Sequence, residues 1–201
     1  MKPLQKYLNI TADGILGPQT KQAAETWARD RYKSLGLKWP KKGLVELRQS
    51  QTFTNRFSDY CLIIEGGKCV DILPWTTKPG LPGVLDFSKY NKTGVGVVCE
   101  NQPRQWRWST KPNKYGSPMG IQAEPINVYR DGNKDNKIDK NIVEVAPTDK
   151  FFQLHQQGIS DLIGWNSLGC RGCKKAIWDA SVVPRFIHGE MVECCILEMF
   201  Q

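Results

Sequence analysis

Tyr60-Cys61-Leu62-Ile63-Ile64-Glu65-Gly66-Gly67-Lys68-Cys69-Val70-Asp71-Ile72-Leu73 is the stretch from which the fold is read. Two apolar runs, Tyr60 to Ile64 and Lys68 to Leu73, flank a Gly66-Gly67 pair, the signature of two strands joined by a tight turn. Downstream the pattern recurs. Gly94 to Cys99 and Ile126 to Tyr129 read as further strands, and Pro79-Gly80-Leu81-Pro82-Gly83 as a rigid loop. Short strands with Gly/Pro punctuation over 58–155 predict a mainly β domain. Upstream the period changes. Leu4 and Leu8 share one face of a short helix, and Ala23, Ala24, Trp27 and Ala28 form an apolar stripe at helical spacing. Asp13-Gly14 marks the intervening turn, Pro18 suits a first helical turn, and Gly36 suits a stop. Residues 37–57, with Trp39-Pro40 and Lys41-Lys42-Gly43 as breakers, read as a linker. The expected fold is α+β: a small helical module over 1–36, then a mainly β domain over 58–201.

A chain of 201 residues has room for one domain with a small appendage, and for a core that needs no disulfide staples. With 28 Lys and Arg against 20 Asp and Glu, the net charge of +8 favours an anionic partner. No long Lys/Arg arm and no aromatic-glycine RNA motif is present, which speaks against nucleic acid. The opening Met1-Lys2-Pro3-Leu4-Gln5-Lys6 lacks the apolar core of a secretory signal. Met191 to Phe200, interrupted by Glu193 and Glu198, is too short to cross a bilayer. The expectation is a protein made in the cytoplasm, not inserted in a membrane, and delivered by other means if it acts outside. Seven cysteines leave at least one outside any intrachain disulfide, and Cys61 and Cys69 are placed to face each other across a hairpin.

The chemistry concentrates in Phe151-Phe152-Gln153-Leu154-His155-Gln156-Gln157-Gly158 and Ile163-Gly164-Trp165-Asn166-Ser167-Leu168-Gly169-Cys170-Arg171-Gly172-Cys173. Fourteen residues separate His155 from Cys170. A nucleophilic thiol needs a neighbouring base and a small residue beside it, which Gly169 supplies; backbone N–H groups at such a turn can receive an oxyanion. Two other readings stay open. Cys170-x-x-Cys173 with Cys194, Cys195 and His188 is a candidate zinc set, although adjacent Cys194 and Cys195 point apart on extended chain. Alternatively, His155 and Cys170 are buried packing residues. Trp106, Trp108, Trp165 and Trp178 either line a sugar groove or fill the core. Asp131, Asn133, Asp135 and Asp139 take positions 1, 3, 5 and 9 of a calcium-type loop, with Asn136 and Ile142 at positions 6 and 12 in place of Gly and Glu. The same residues also suit an exposed Asn/Asp-rich turn.

Two resemblances add to this reading. Leu4-Gln5, Leu8-Asn9, Asp13-Gly14-Ile15-Leu16-Gly17-Pro18, Thr20 and Ala23-Ala24 resemble the peptidoglycan-binding domain type 1 over residues 3–30. That resemblance implies binding to cell-wall muropeptide, with Asp13, Gly14, Gly17 and Thr20 at the ligand. His155, Gly158, Ser167, Gly169 and Cys170 resemble the L,D-transpeptidase (YkuD-type) catalytic pattern, and the likeness spans roughly 58–180 with the Val128-to-Asp139 stretch. It implies Cys170 as nucleophile, His155 as base, Ser167 orienting His155, and Gly158, Trp165 and Arg171 on the substrate side. Leu168 stands where the pattern has a second His. Arg171 adjoins the nucleophile, whereas the pattern places its Arg two positions on, where this chain has Gly172. The implied activity is cleavage or exchange of stem-peptide bonds in bacterial peptidoglycan by a phage-type lysin, with virion or lysis-system partners and no required cofactor. The alternative is a non-catalytic wall-binding or virion structural protein. A muramidase is disfavoured, since no paired-carboxylate motif stands out.

Overall fold

The computed structural model describes residues 1–85, 94–111, 116–148, 152–163 and 170–200. Its architecture is mixed α+β and mainly β. Two helices, α1 (Lys2–Tyr7) and α2 (Pro18–Ser34), precede the strands. The main sheet has the order β3-β2-β1-β9-β5-β6, built from β1 (Gly43–Arg48), β2 (Asp59–Glu65), β3 (Lys68–Trp75), β5 (Arg104–Ser109), β6 (Met119–Gln122) and β9 (Met191–Glu198). Its neighbours are antiparallel except β1 and β9, which run parallel at its centre. A second antiparallel sheet has the order β4-β7-β8, from β4 (Val95–Val98), β7 (Ile126–Asp131) and β8 (Val143–Ala146).

The hairpin read from Tyr60 to Leu73 is β2 and β3, with Gly66 and Gly67 both at positive φ in the turn. Cys61 pairs with Leu73 and Ile64 with Cys69, so the two cysteines are not opposite each other, and no disulfide joins the described cysteines. The stretch expected as a linker holds β1, the strand through which the sheet's two halves join. Met191 to Phe200, weighed as an apolar tail, supplies its parallel neighbour. Both strands are buried on two faces: Leu44 and Cys194 point into one core, and Val45 and Cys195 into another. Charged Glu46, Arg48 and Glu193 interrupt these runs in the sequence. The interruptions are tolerated because Glu46 and Arg48 have ionic partners inside the fold.

The edge strands of the main sheet do not end free. Gly120 of β6 bridges Leu154 antiparallel, Leu154 bridges Arg171 in parallel, and Gly172 bridges Thr76, next to the end of β3. The hydrogen-bonded path therefore runs round from β6 back to β3 and closes the sheet at that end. Closure satisfies backbone groups that an edge would expose. Trp75, Trp106, Trp108 and Trp178 fill the inside with Leu44, Ile63, Leu154 and Ile196, and Trp178 stacks on Trp108 at 5.5 Å between ring centroids. Outside, Leu4, Ala24, Ala28 and Tyr32 of the helices bury in one cluster with Val45, Leu47, Leu62, Ile64 and Leu197. The helix pair and the sheet thus share a core.

Candidate functional site

Gln153 to Gln157 and Cys170 to Cys173 lie side by side. The N–H of Arg171 donates to the Gln153 carbonyl at 3.0 Å, that of His155 to the Arg171 carbonyl at 3.1 Å, and that of Gln157 to the Cys173 carbonyl at 2.8 Å. This is a parallel ladder, in which side chains level with one another share a face. Leu154 and Arg171 are level and both point into the core, so alternation places His155 and Cys170 on the opposite face, His155 level with Gly172 and Cys170 with Gln153. His155 is 4% exposed, with Nδ1 against the Gln156 carbonyl, and Cys170 is half-buried. Gly172 sets how closely the two segments approach: a Cβ there would stand 1.9 Å from the carbonyl oxygen of His155. No larger residue fits that place without moving the strands apart.

Arg171 does not face a substrate. It is fully buried, with Nη1 donating to Glu46 Oε1 at 2.6 Å and its guanidinium 4.3 Å from the Trp106 ring centroid. Glu46 also accepts from Trp75 Nε1 at 3.0 Å, and burial pushes its carboxyl up against the opposing pull of Arg171. The substrate-side placement implied for Arg171 is thereby corrected: inside the closed sheet its charge is paired with Glu46. Gly158, with φ +100°, donates its N–H to Gln156 Oε1 and accepts from Lys175 N–H, which makes it a turn residue. Ser167, Gly169 and Trp165 lie outside the described residues.

The tryptophans separate cleanly. Trp106, Trp108 and Trp178 are at most 1% exposed, so the sugar-groove reading of these three gives way to core packing. The zinc reading also fails on placement. Cys194 and Cys195 fall into different cores on opposite faces of β9, and no group of three His, Cys, Asp or Glu among the described residues is placed to hold a metal. Burial raises the other six thiols: Cys99 to about 11, Cys69 and Cys195 to about 12, and Cys61, Cys173 and Cys194 well above the ordinary value. Thiols held protonated in this way are poor nucleophiles at neutral pH.

Around Asp13 a buried glutamine organises the loop. Gln5 Nε2 donates to Asp13 Oδ1 at 2.7 Å and Thr20 Oγ1 at 3.0 Å, while Gln5 Oε1 accepts from the Gly14 N–H at 2.8 Å. Asp13 is held below the usual carboxylate range by the Ile15 N–H and by Gln5. Asp13, Gly14 and Thr20 are therefore tied to α1, with Thr20 buried. Gly17 stays at the surface and lines a shallow depression of about 470 Å³ with Pro18, Lys21, Lys68 and Val70. Sequence reasoning missed Gln5 and Glu46 as organisers. A Glu within an apolar run was the available signal for the second.

Asp131 ends β7 and is 1% exposed; Asn133 and Asp135 are at the surface and Asp139 half-buried. Burial raises the carboxyl of Asp131, opposed by the amides of Lys134 and Asp135. A metal cage of three carboxylates is not formed there.

Compared with models of known protein families the chain matches none, and among curated proteins no match is found.

Proposed function

We propose that the chain is a cysteine enzyme acting on bacterial peptidoglycan, cleaving or exchanging stem-peptide bonds. The observation that carries the reading is the parallel ladder that sets His155 and Cys170 on one face of neighbouring segments. The resemblance of residues 58–180 to the L,D-transpeptidase pattern supplies the substrate class. In this scheme His155 takes the thiol proton of Cys170, and Sγ attacks the carbonyl carbon of a stem-peptide amide. The C–N bond breaks, the leaving amine takes the proton from His155, and a thioester remains. Water then gives a free carboxylate, or a second amine gives a cross-link, and the thiol is restored. The resemblance assigns Ser167 to orienting His155 and Gly169 to clearance beside the nucleophile. None of these steps is routed through a metal.

The wall-binding part of the reading rests on the helix-loop resemblance, with the depression beside Gly17 as the surface offered to a muropeptide. A phage lysin released at lysis or carried in a virion suits a wall enzyme of this kind. A second reading, a non-catalytic wall-binding or virion protein, is favoured by the burial of Arg171 and by Leu168 at the place of the second His. The two separate by trapping the thioester. The protein is incubated with a tetrapeptide stem, quenched in acid and weighed intact. An adduct of the acyl fragment's mass on the Cys170 peptide, absent in His155→Ala, supports the enzyme. An unmodified Cys170 in every quench supports the binder.

A further inference from the structure

Among the described residues two ion pairs have both side chains at most 1% exposed, Arg171 with Glu46 and Lys78 with Asp59. They differ in chemistry. A guanidinium does not give up its proton inside a protein, whereas a lysine taken from water does, and is then a nucleophile. Asp59 opens β2 opposite Trp75, the last residue of β3, and Lys78 follows just beyond that end. Thr76 Oγ1 donates to the Lys78 carbonyl at 2.6 Å and accepts its N–H at 3.2 Å, which curls the chain so that the lysine turns back to Asp59. Lys78 Nζ stands 3.3 Å from Asp59 Oδ1 and donates to the Ser50 carbonyl at 2.9 Å and to Ser50 Oγ at 3.1 Å. Burial holds the Lys78 amine below the ordinary lysine value against the pull of Asp59, and the Arg48 charge adds to the lowering. Three fixed donors grip the carboxyl: the Gln49 N–H on Oδ1 at 3.0 Å, and the Thr77 N–H at 3.0 Å and Oγ1 at 2.7 Å on Oδ2.

We propose that Lys78 and Asp59 join in an isopeptide bond, formed by the folded protein itself. A proton passes from Nζ to Oδ1, and the neutral amine attacks Cγ. Oδ1 takes up a second proton from Nζ, the Cγ–Oδ1 bond breaks, and water departs. The ion pair thus becomes an amide plus one water, with no other reactant. The fixed donors hold the charge that builds on the carboxyl oxygens during attack, and two groups held at this separation gain the advantage of an intramolecular step. The product is satisfied where it lies. Its carbonyl, Oδ2, keeps both Thr77 donors, and its one N–H keeps the Ser50 carbonyl. Only the Gln49 N–H loses its acceptor, and Gln49 is half-buried. A neutral amide also removes two charges from the interior, the costly part of a buried pair. The bond clamps the open end of the β2–β3 hairpin, next to the Thr76–Gly172 bridge that closes the sheet. This inference does not rest on the thiol reading and stands or falls without it.

Intact-mass measurement of the denatured full chain, followed by a tryptic digest, tests it. The chain is expected to be lighter than its sequence by one water, and the digest to contain a branched peptide that joins the Asp59 and Lys78 segments. Lys78→Arg keeps the positive charge but cannot form the amide. It should show the full sequence mass and a lower melting midpoint than the native protein. If that variant misfolds, the native digest decides alone. Full mass, with the two segments recovered as separate linear peptides from protein kept folded for days, would overturn the proposal. So would a water loss that persists in folded Lys78→Arg.

Discussion

Glu46 and Arg171 meet inside the closed sheet, and the residue beside Arg171 carries the thiol. A buried ion pair contributes little net stability, but removing one partner leaves a charge without compensation, at about 3–5 kcal/mol. Glu46→Gln should therefore lower the unfolding free energy by about that amount, measured by urea titration. The double variant Glu46→Met, Arg171→Met should recover most of it, since neither charge is then stranded. If Glu46→Gln unfolds at the native urea midpoint, the pair does not support this segment. Neither partner's role was legible beforehand. A single sequence shows a Glu in a strand-like run and an Arg after a cysteine, 125 positions apart, and nothing local says that they meet. Gly172 is similar: the sequence shows only a departure from a pattern, while the close backbone of His155 explains it.

At the scale of elements, legibility followed how far a local signal agreed with burial. The β2–β3 hairpin was readable because its turn and its apolar runs coincide, and α2 because Pro18 and Gly36 punctuate an alanine-rich stripe. The strand β1 was not readable, because six residues with two charges look like linker until a partner strand and the opposing charges are supplied. One of those charges, Arg48, enters a network with Glu100, Glu198 and Lys140 that ties β9 and β1 to the second sheet. Burial raises the Glu100 carboxyl, but the Lys140 ammonium and Arg48 more than reverse this and hold it low. Burial likewise lowers Lys140, and the two glutamates more than reverse that. A depressed carboxyl contributes stability above its ordinary value and loses it as pH falls through the depressed one; a raised lysine contributes below its ordinary value and loses it as pH rises through the raised one. The network's contribution is thus a plateau across neutral pH, about 1 kcal/mol because solvent reaches Lys140. Lys140→Met should lower the plateau by that amount and soften its acid edge in thermal melts from strongly acidic to alkaline pH. An unchanged profile would show that the network is a surface decoration.

For the whole molecule, one arrangement links these parts. The closed sheet holds its tryptophans and the Glu46–Arg171 pair inside, the helices cover one outer face, and the His155 and Cys170 segments complete the ring on the other side. The segment that closes the sheet is therefore also the one that carries the candidate nucleophile and base. Both of its strands were visible in the sequence only as chemistry, a histidine and a cysteine in suggestive settings. Their structural task comes from contacts distant in the chain. We propose that this junction works as a thiol enzyme on peptidoglycan. Mass spectrometry of muropeptides incubated with the protein and with Cys170→Ala tests it most directly. New stem-peptide products are expected with the native chain, with masses that distinguish hydrolysis from cross-linking, and no products with the folded variant. Products that persist unchanged in Cys170→Ala, or none from the native chain on any wall chemotype, would contradict it.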